Sequence, residues 1–330
     1  MYNFTKKLEQ LENLVVVDDS STNDEYGYYP FNRPLNILLD YGLILVDKPS
    51  GPTSHEIASW IKRILRINKT GHSGTLDPGT TGLLPMGLGE ATKALSVLLL
   101  GPKEYYSVSR LHANYSDKRI ISILQDFNGD IFQKPPQRSS VKRETRIRRI
   151  YELDLLEKTN NLILLRTLCE SGTYIRKLIY DIGEILGSGA TMVELRRTRV
   201  SIFSENHSLT KLHDLHNAFC LYQQKRDENK LRSMILPIES CLSTIPSVII
   251  RDTAVDALCH GAQLAIPGIT QLSKDIRRGS IVGIYTIKGE IVGLATALMD
   301  MDDILKCDKG MAFSMKRLIM KPNTYQKGWK

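Results

Sequence analysis

Cysteine is scarce in this chain. Its 330 residues include five, at Cys169, Cys220, Cys241, Cys259 and Cys307. They are odd in number, widely spaced and form no C-x-x-C pair, which argues against a disulfide framework and a zinc site and fits a reducing interior. Long apolar runs are also missing. The longest, near Leu98, is interrupted almost at once by Gly101-Pro102, so no stretch approaches a membrane span. The first residues mix charges with apolar side chains and contain no signal-peptide core, so no export signal is expected. Internal repeats and low-complexity tracts are absent from the sequence.

What is present is basic charge on a globular composition. Hydrophobic residues make up 42% and charged residues 24%, with a formal net charge of +8. An excess of Lys and Arg favours a polyanionic partner, because cations that neutralise phosphates release counterions. The basic residues cluster rather than spread. Arg138, Lys142, Arg143, Arg146, Arg148 and Arg149 fall in one segment opposed only by Glu144. Smaller groups are Lys62, Arg63, Arg66 and Lys69, then Arg196, Arg197 and Arg199, then Lys274, Arg277 and Arg278.

Periodicity places the elements. Residues 1 to about 36 read as an irregular arm, with a polar Asp18–Glu25 stretch and a Tyr26–Pro30 run whose aromatics could dock on another surface. Leu43–Val46 predicts a short buried strand, stopped by Lys48-Pro-Ser-Gly-Pro52. Thr53 and Glu56 predict a capping box at the head of a helix with Ile57, Trp60, Ile61, Ile64 and Leu65 on its apolar stripe. A second helix is expected from Glu90 to Leu99, ending at Gly101. Tyr105–Leu111 and Leu162–Leu168 read as strands. Between them, Lys134-Pro-Pro136 must be extended or loop-like. Thr173 is the expected start of a further helix with Ile175, Leu178, Ile179, Ile182 and Leu186 on one face and Arg176 off it. After about residue 244 the runs Val248–Ile250, Ile281–Ile287 and Ile291–Ala295 predict a compact β module with a turn at Lys288-Gly289.

The run Lys69–Pro85 isolates one carboxylate, Asp77, among glycines, small hydroxyl residues and apolar residues. A solvent loop normally carries several charges. Glycines let backbone approach backbone or a ligand, so the run suits a reactive carboxylate beside a bulky substrate. Turn chemistry alone would make this Asp a simple bend residue.

With the other motifs, the run resembles the TruB/dyskerin group of RNA pseudouridine synthases, most closely its archaeal and eukaryotic dyskerin branch, over roughly residues 30–325. Gly71-His-Ser-Gly-Thr-Leu-Asp-Pro78 resembles the catalytic motif, Lys103-Glu-Tyr105 the second, Cys169–Arg176 the third, and Glu194–Arg197 the segment after it. His260-Gly-Ala-Gln-Leu-Ala-Ile-Pro-Gly268 resembles part of a PUA RNA-binding domain. The arm before Leu43 and Asp47–His55 also look like the dyskerin branch. Three places depart from the pattern: Gly79, Val200–Phe203 and Gln263.

The resemblance implies an α+β fold. A pseudouridine synthase catalytic domain with a mixed, mainly antiparallel sheet and flanking helices would span 37–243. A small β-barrel-like PUA domain would span 244–322, with an arm at 1–36 packing on it and a tail at 323–330. It implies that Asp77 acts as nucleophile or proton acceptor, paired with Arg176. Burial alone raises a carboxylate's pKa, so a pocket largely closed to water would need such a cation. Tyr105 would stack on the flipped base and could also handle a proton. Tyr174, Leu195 and His72 would line the pocket, although Tyr105, Tyr174 and Leu195 could equally be core residues. Lys48, Arg138, Lys142, Arg143 and Arg146 would meet phosphate. His260, Gly261, Ala262 and Gly268 would hold RNA in the C-terminal module.

The resemblance further implies neither cofactor nor metal, and action on ribosomal RNA selected by an H/ACA guide RNA. It implies Nop-type and Gar-type small subunits, a kink-turn-binding ribosomal-protein-like subunit and no membrane. The setting would be the cytoplasm of an archaeal-type cell, or the nucleolus of a eukaryote. Alternatives are a stand-alone enzyme for the tRNA T-loop, a non-catalytic RNA scaffold and a base-excising glycosylase.

Overall fold

A computed structural model describes residues 13–135, 142 and 144–328. Two sheets organise it. The larger has ten strands. Its main path runs Leu236–Pro237, Gly42–Lys48, Thr81–Leu88, Ala190–Val200, Lys103–Leu111, Leu162–Cys169, Arg146–Thr159 and Gly129–Gln133. Neighbours along this path are antiparallel except at one junction, where Thr81 and Gly82 run parallel to Arg196 and Arg197. The chain between His72 and Thr81, which carries Asp77, enters the sheet at that parallel junction. The fold is thus α+β, with the expected mainly antiparallel sheet.

Helices cover this sheet through local signals. The Thr53 side chain accepts from the Glu56 amide, and the Glu56 side chain accepts from the Thr53 amide. This box starts the helix Ser54–Leu65, whose Ile57, Ile61 and Leu65 pack in a core with Ile44, Val46 and Leu84. The helix Ile175–Leu186 buries Ile175, Leu178, Ile179, Ile182 and Leu186 against Leu111, Leu153 and Leu165. It begins two residues later than Thr173 suggested. Thr173 instead closes a turn, with its hydroxyl donating to the Glu170 carbonyl at 2.7 Å.

The helix expected from Glu90 to Leu99 is two short pieces, a 3-10 turn Gly89–Lys93 and an α-helix Ser96–Leu100. Gly89 has a left-handed φ of 53° against the Asp40 backbone, and the Thr92 hydroxyl takes the Gly89 carbonyl at 2.8 Å. Those two local conformations compete with a continuous helical ladder.

The smaller sheet belongs to the C-terminal module. Its order is Leu14–Val16, Ile269–Ser273, Ser247–Ile250, Ile281–Thr286, Ile291–Ala297, Met311–Leu318 and Leu264–Ala265. Val248, Ile250, Val282, Ile284, Val292 and Phe313 share its core. At the Lys288-Gly289 turn, Gly289 takes φ 83° and donates to the Thr286 carbonyl at 2.8 Å.

The arm is more regular than its composition suggested. Leu14, Val15 and Val16 pair antiparallel with Ser273, Leu272 and Gln271. Short helical turns follow at Pro30–Asn32 and Leu35–Leu38. Arg33 then joins the parts. It is 2% exposed, donates to both Glu239 carboxylate oxygens at 2.7 and 2.9 Å, and lies 3.8 Å from Glu290. Tyr325 donates to Glu290 at 2.8 Å. Burial, acting against these partners, raises the Glu290 pKa.

Candidate active site

The loop bearing Asp77 is held by buried polar groups on both sides. Ser54, fully buried in the first turn of its helix, accepts from the Leu76 amide at 2.8 Å and donates to the Leu76 carbonyl at 3.1 Å. Leu76 itself is buried. The Thr80 amide donates to the Asp77 carbonyl at 3.0 Å, closing a tight turn through Pro78 and Gly79. A methyl group at Gly79 would meet nothing within 4 Å, and its φ is not left-handed, so this departure from the family pattern leaves open surface beside the acid.

Asp77 points out of this frame. Arg176, in the first turn of Ile175–Leu186, places Nη2 at 2.9 Å from Asp77 Oδ2. The two side chains are 58% and 63% exposed. The expected closed pocket is therefore open in the free chain. Among the described residues, the carboxylate is left more than half open to solvent.

Tyr105 stands on the strand Lys103–Leu111, packed between two apolar clusters. Burial raises its pKa, opposed by the nearby Arg197 charge, and the Asp77 charge also reaches it. Leu195 is half-buried against the cluster beneath the Arg176 helix. Tyr174 is half-buried immediately before that helix. Its amide donates to Gln133 Oε1 at 2.9 Å and its carbonyl accepts from Gln133 Nε2 at 3.1 Å. His72 is half-buried and edge-on to His55, with ring centroids 5.1 Å apart. Burial, then the neighbouring His55 and Arg197, lower its pKa.

Lys48, expected to meet phosphate, is turned inward in the free chain. It is fully buried, and its ammonium donates to the carbonyls of Pro49, Pro78 and Thr80 at 3.0, 3.0 and 2.8 Å. Two of those carbonyls belong to the Asp77 turn, so this lysine holds the loop from below. Lys48→Met should leave RNA affinity and its salt dependence unchanged. It should lower folding stability by about 2 kcal/mol, since the carbonyls lose their donor. Filter binding across a salt series and chemical denaturation would measure both.

Arg138 and Arg143 lie outside the described residues. Lys142 is exposed and pairs with Glu144. Arg146 is half-buried where Arg146–Thr159 begins, opposite Gln133.

The other predicted RNA residues lie in the C-terminal module. His260, Gly261 and Ala262 are exposed in the turn after the helix Asp252–Cys259. Gly261 takes φ 97° with open space around it. Gly268 is different: its φ is ordinary, and a methyl group there would lie 3.1 Å from Leu264 and 3.2 Å from Ala254, so both neighbours would have to give by a few tenths of an ångström. Gln263 accepts from the Met315 amide at 2.8 Å. Ser201, within the Val200–Phe203 departure, adopts a left-handed φ of 55°.

Two buried cations had no individual role in the sequence reading. Lys103 donates to the carbonyls of Leu98, Leu99 and Gly101 and to the Ser171 hydroxyl, at 2.6 to 3.2 Å. Burial, with Arg197 nearby, pushes its pKa down to about 8. Arg197, 1% exposed, donates to the Leu83 carbonyl at 2.9 Å and the Gly74 carbonyl at 3.2 Å. Strand alternation placing a basic residue on the same face as Leu195 was the available signal. An ionisable carboxylate paired to a guanidinium beside an aromatic ring suits nucleophilic or proton-transfer chemistry on a planar ligand.

Comparison with known proteins agrees along the length of the chain. Residues 62–175 match the TruB family pseudouridylate synthase N-terminal domain, and residues 176–243 the tRNA pseudouridylate synthase B C-terminal domain. Residues 246–319 match the PUA domain and residues 2–58 the DKCLD (NUC011) domain. The chain is 45% identical to the "Probable tRNA pseudouridine synthase B" of Methanocaldococcus jannaschii, covering 98% of this chain and 96% of that one. It is 40% identical, with a TM-score of 0.88, to a chain in "Structure of H/ACA RNP bound to a substrate RNA containing 2'-deoxyuridine", covering 96% of this chain and 97% of that one. A chain of "Crystal Structure of a Cbf5-Nop10-Gar1 Complex" is 42% identical with a TM-score of 0.88, covering 95% and 96% respectively. Family matches that together run from residue 2 to 319, and a relative 45% identical over 98% of the chain, place the chain in the TruB/dyskerin family of RNA pseudouridine synthases, which are isomerases.

Proposed function

We propose that this chain is the catalytic subunit of an H/ACA ribonucleoprotein and converts uridine to pseudouridine in ribosomal RNA chosen by a guide RNA, with Asp77 as the catalytic carboxylate. The observation that supports this most is the likeness over 96% of the chain to a protein in an H/ACA particle bound to substrate RNA. Nop-type and Gar-type subunits are the proposed protein partners, as in the Cbf5-Nop10-Gar1 complex. A kink-turn-binding subunit completes the proposed particle.

The reaction breaks the N1–C1′ bond of uridine and rejoins the ring through C5, so atoms and electrons balance within the nucleoside. Asp77 starts it as a nucleophile or by taking a sugar proton. The base must leave its stack, and Tyr105 offers it a flat wall. The open carboxylate loses water only when the nucleotide covers it. Arg176, already 2.9 Å away, then remains as its counter-ion in a drier setting.

A second reading is favoured by the curated relative's name: a stand-alone enzyme acting on the tRNA T-loop. The full chain should be assayed with a target RNA plus guide and subunits, and separately with bare tRNA. The expected result is pseudouridine in the guided target only when guide is present. Full turnover on tRNA without guide or partners would overturn strict guide dependence.

A further inference from the structure

We infer that Arg197 is a positioning residue for the isomerisation: its buried guanidinium fixes the Asp77 loop and the Tyr105 platform in one frame. The inference rests on the catalytic reading of Asp77 given above.

The Asp77–Arg176 pair cannot locate the carboxylate by itself. Both side chains are more than half exposed, and an ion pair in that setting contributes little holding energy. The loop must be located from beneath. Arg197 is placed to do so. Its Nη2 holds Gly74, three residues before Asp77, and its Nε holds Leu83, six residues after it. One planar group therefore grips both limbs of the loop. Its own backbone pairs with Gly82 on one side and Tyr105 on the other. A methyl group at Gly82 would lie 2.3 Å from the Arg197 carbonyl, so the two strands meet without room for a side chain there. The guanidinium also acts on the Tyr105 phenol, favouring its ionised form against burial.

Energetics point the same way. Arg197 forms no salt bridge among the described residues, and burying a cation without a carboxylate is costly. An apolar side chain of similar size would suit stability better. A rigid fork of five donors is useful where several acceptors must keep fixed relative positions. Burial lowers the pKa of Lys48, His72 and Lys103, and the Arg197 charge adds to that in all three.

The test uses the full chain assembled with guide RNA and its small subunits, under single-turnover conditions. Arg197→Lys keeps the charge but cannot reach Gly74, Leu83 and Tyr105 together. Its rate should fall about 100-fold, the scale of a 1 Å misplacement in a preorganised site. Target-RNA affinity should stay within about twofold, since no base or phosphate contact is removed. A merely structural role would lower the melting temperature and leave the rate of the folded protein alone. A rate within threefold of the parent, measured well below the melting point, would overturn the inference. Should Arg197→Lys fail to fold, Gly74→Ala is the second variant. Its φ of 101° resists a side chain, so the Gly74 carbonyl should leave Arg197 and the rate should drop about tenfold. An unchanged rate there would also overturn the inference. Asp77→Asn is run alongside. A live Asp77→Asn sinks the catalytic reading itself, whereas a dead Asp77→Asn with a fully active Arg197→Lys sinks only the inference.

Discussion

Asp77→Asn is expected to bind target RNA as tightly as the parent and to form pseudouridine at least about 10⁴-fold more slowly, the scale of removing one member of a catalytic set. The amide is nearly isosteric, and among the described residues the carboxylate oxygens pair with the exposed Arg176 alone. The loop is held by main-chain bonds at Leu76, Asp77, Pro78 and Thr80, which an Asn leaves in place. Stability should therefore change little, and the loss should fall on chemistry. Thermal melting, RNA binding and mapping of the modified base, on one preparation, would separate these quantities. Substantial turnover by the Asn variant would remove Asp77 from the mechanism.

Arg176→Ala should show the second-largest effect, a loss of roughly 10³-fold in rate, at the upper end for deleting one preorganised charged donor. In the free chain the pair is solvent-exposed, so its removal should cost no more than about 1 kcal/mol of folding stability. Once a nucleotide covers Asp77 the situation reverses. A charge that loses water without its partner is heavily penalised, and the penalty falls on the bound state. The variant should thus melt like the parent and turn over far more slowly. Arg176→Lys should recover only part of the loss, because an ammonium lacks the planar fork. A variant within about tenfold of the parent would mean that other groups neutralise the acid.

Much of the fold was legible because its signals are local. The Thr53–Glu56 box, the Ile175–Leu186 stripe and the Gly289 turn each depend on residues a few positions apart. The site's exposed layer could also be read, since Asp77 and Arg176 each sit in a distinctive run. Its buried layer could not. Lys48 precedes Pro-Ser-Gly-Pro and reads as a loop cation, but two of its three acceptors come from Pro78 and Thr80. Arg197 stands in a cluster with Arg196 and Arg199 that reads as a basic surface. Arg196 does reach the half-exposed carboxylates of Asp47 and Glu205, while its neighbour turns inward beneath the Asp77 loop. The broken segment Gly89–Leu100 was missed for a related reason. Its apolar spacing suits a helix, but Gly89 is committed to a tight approach to Asp40.

The pairing of Leu14–Val16 with the strand at Ile269–Ser273 also sets an order of events during synthesis. The ribosome makes this strand long before its partner. Until Ser273 emerges, the early segment has no ladder to join. Contacts this distant in sequence form late, and unpaired strands attract wrong partners meanwhile. A chain whose translation stalls before Ile269 would therefore show its first defect at the amino-terminal arm, far from the missing residues in sequence.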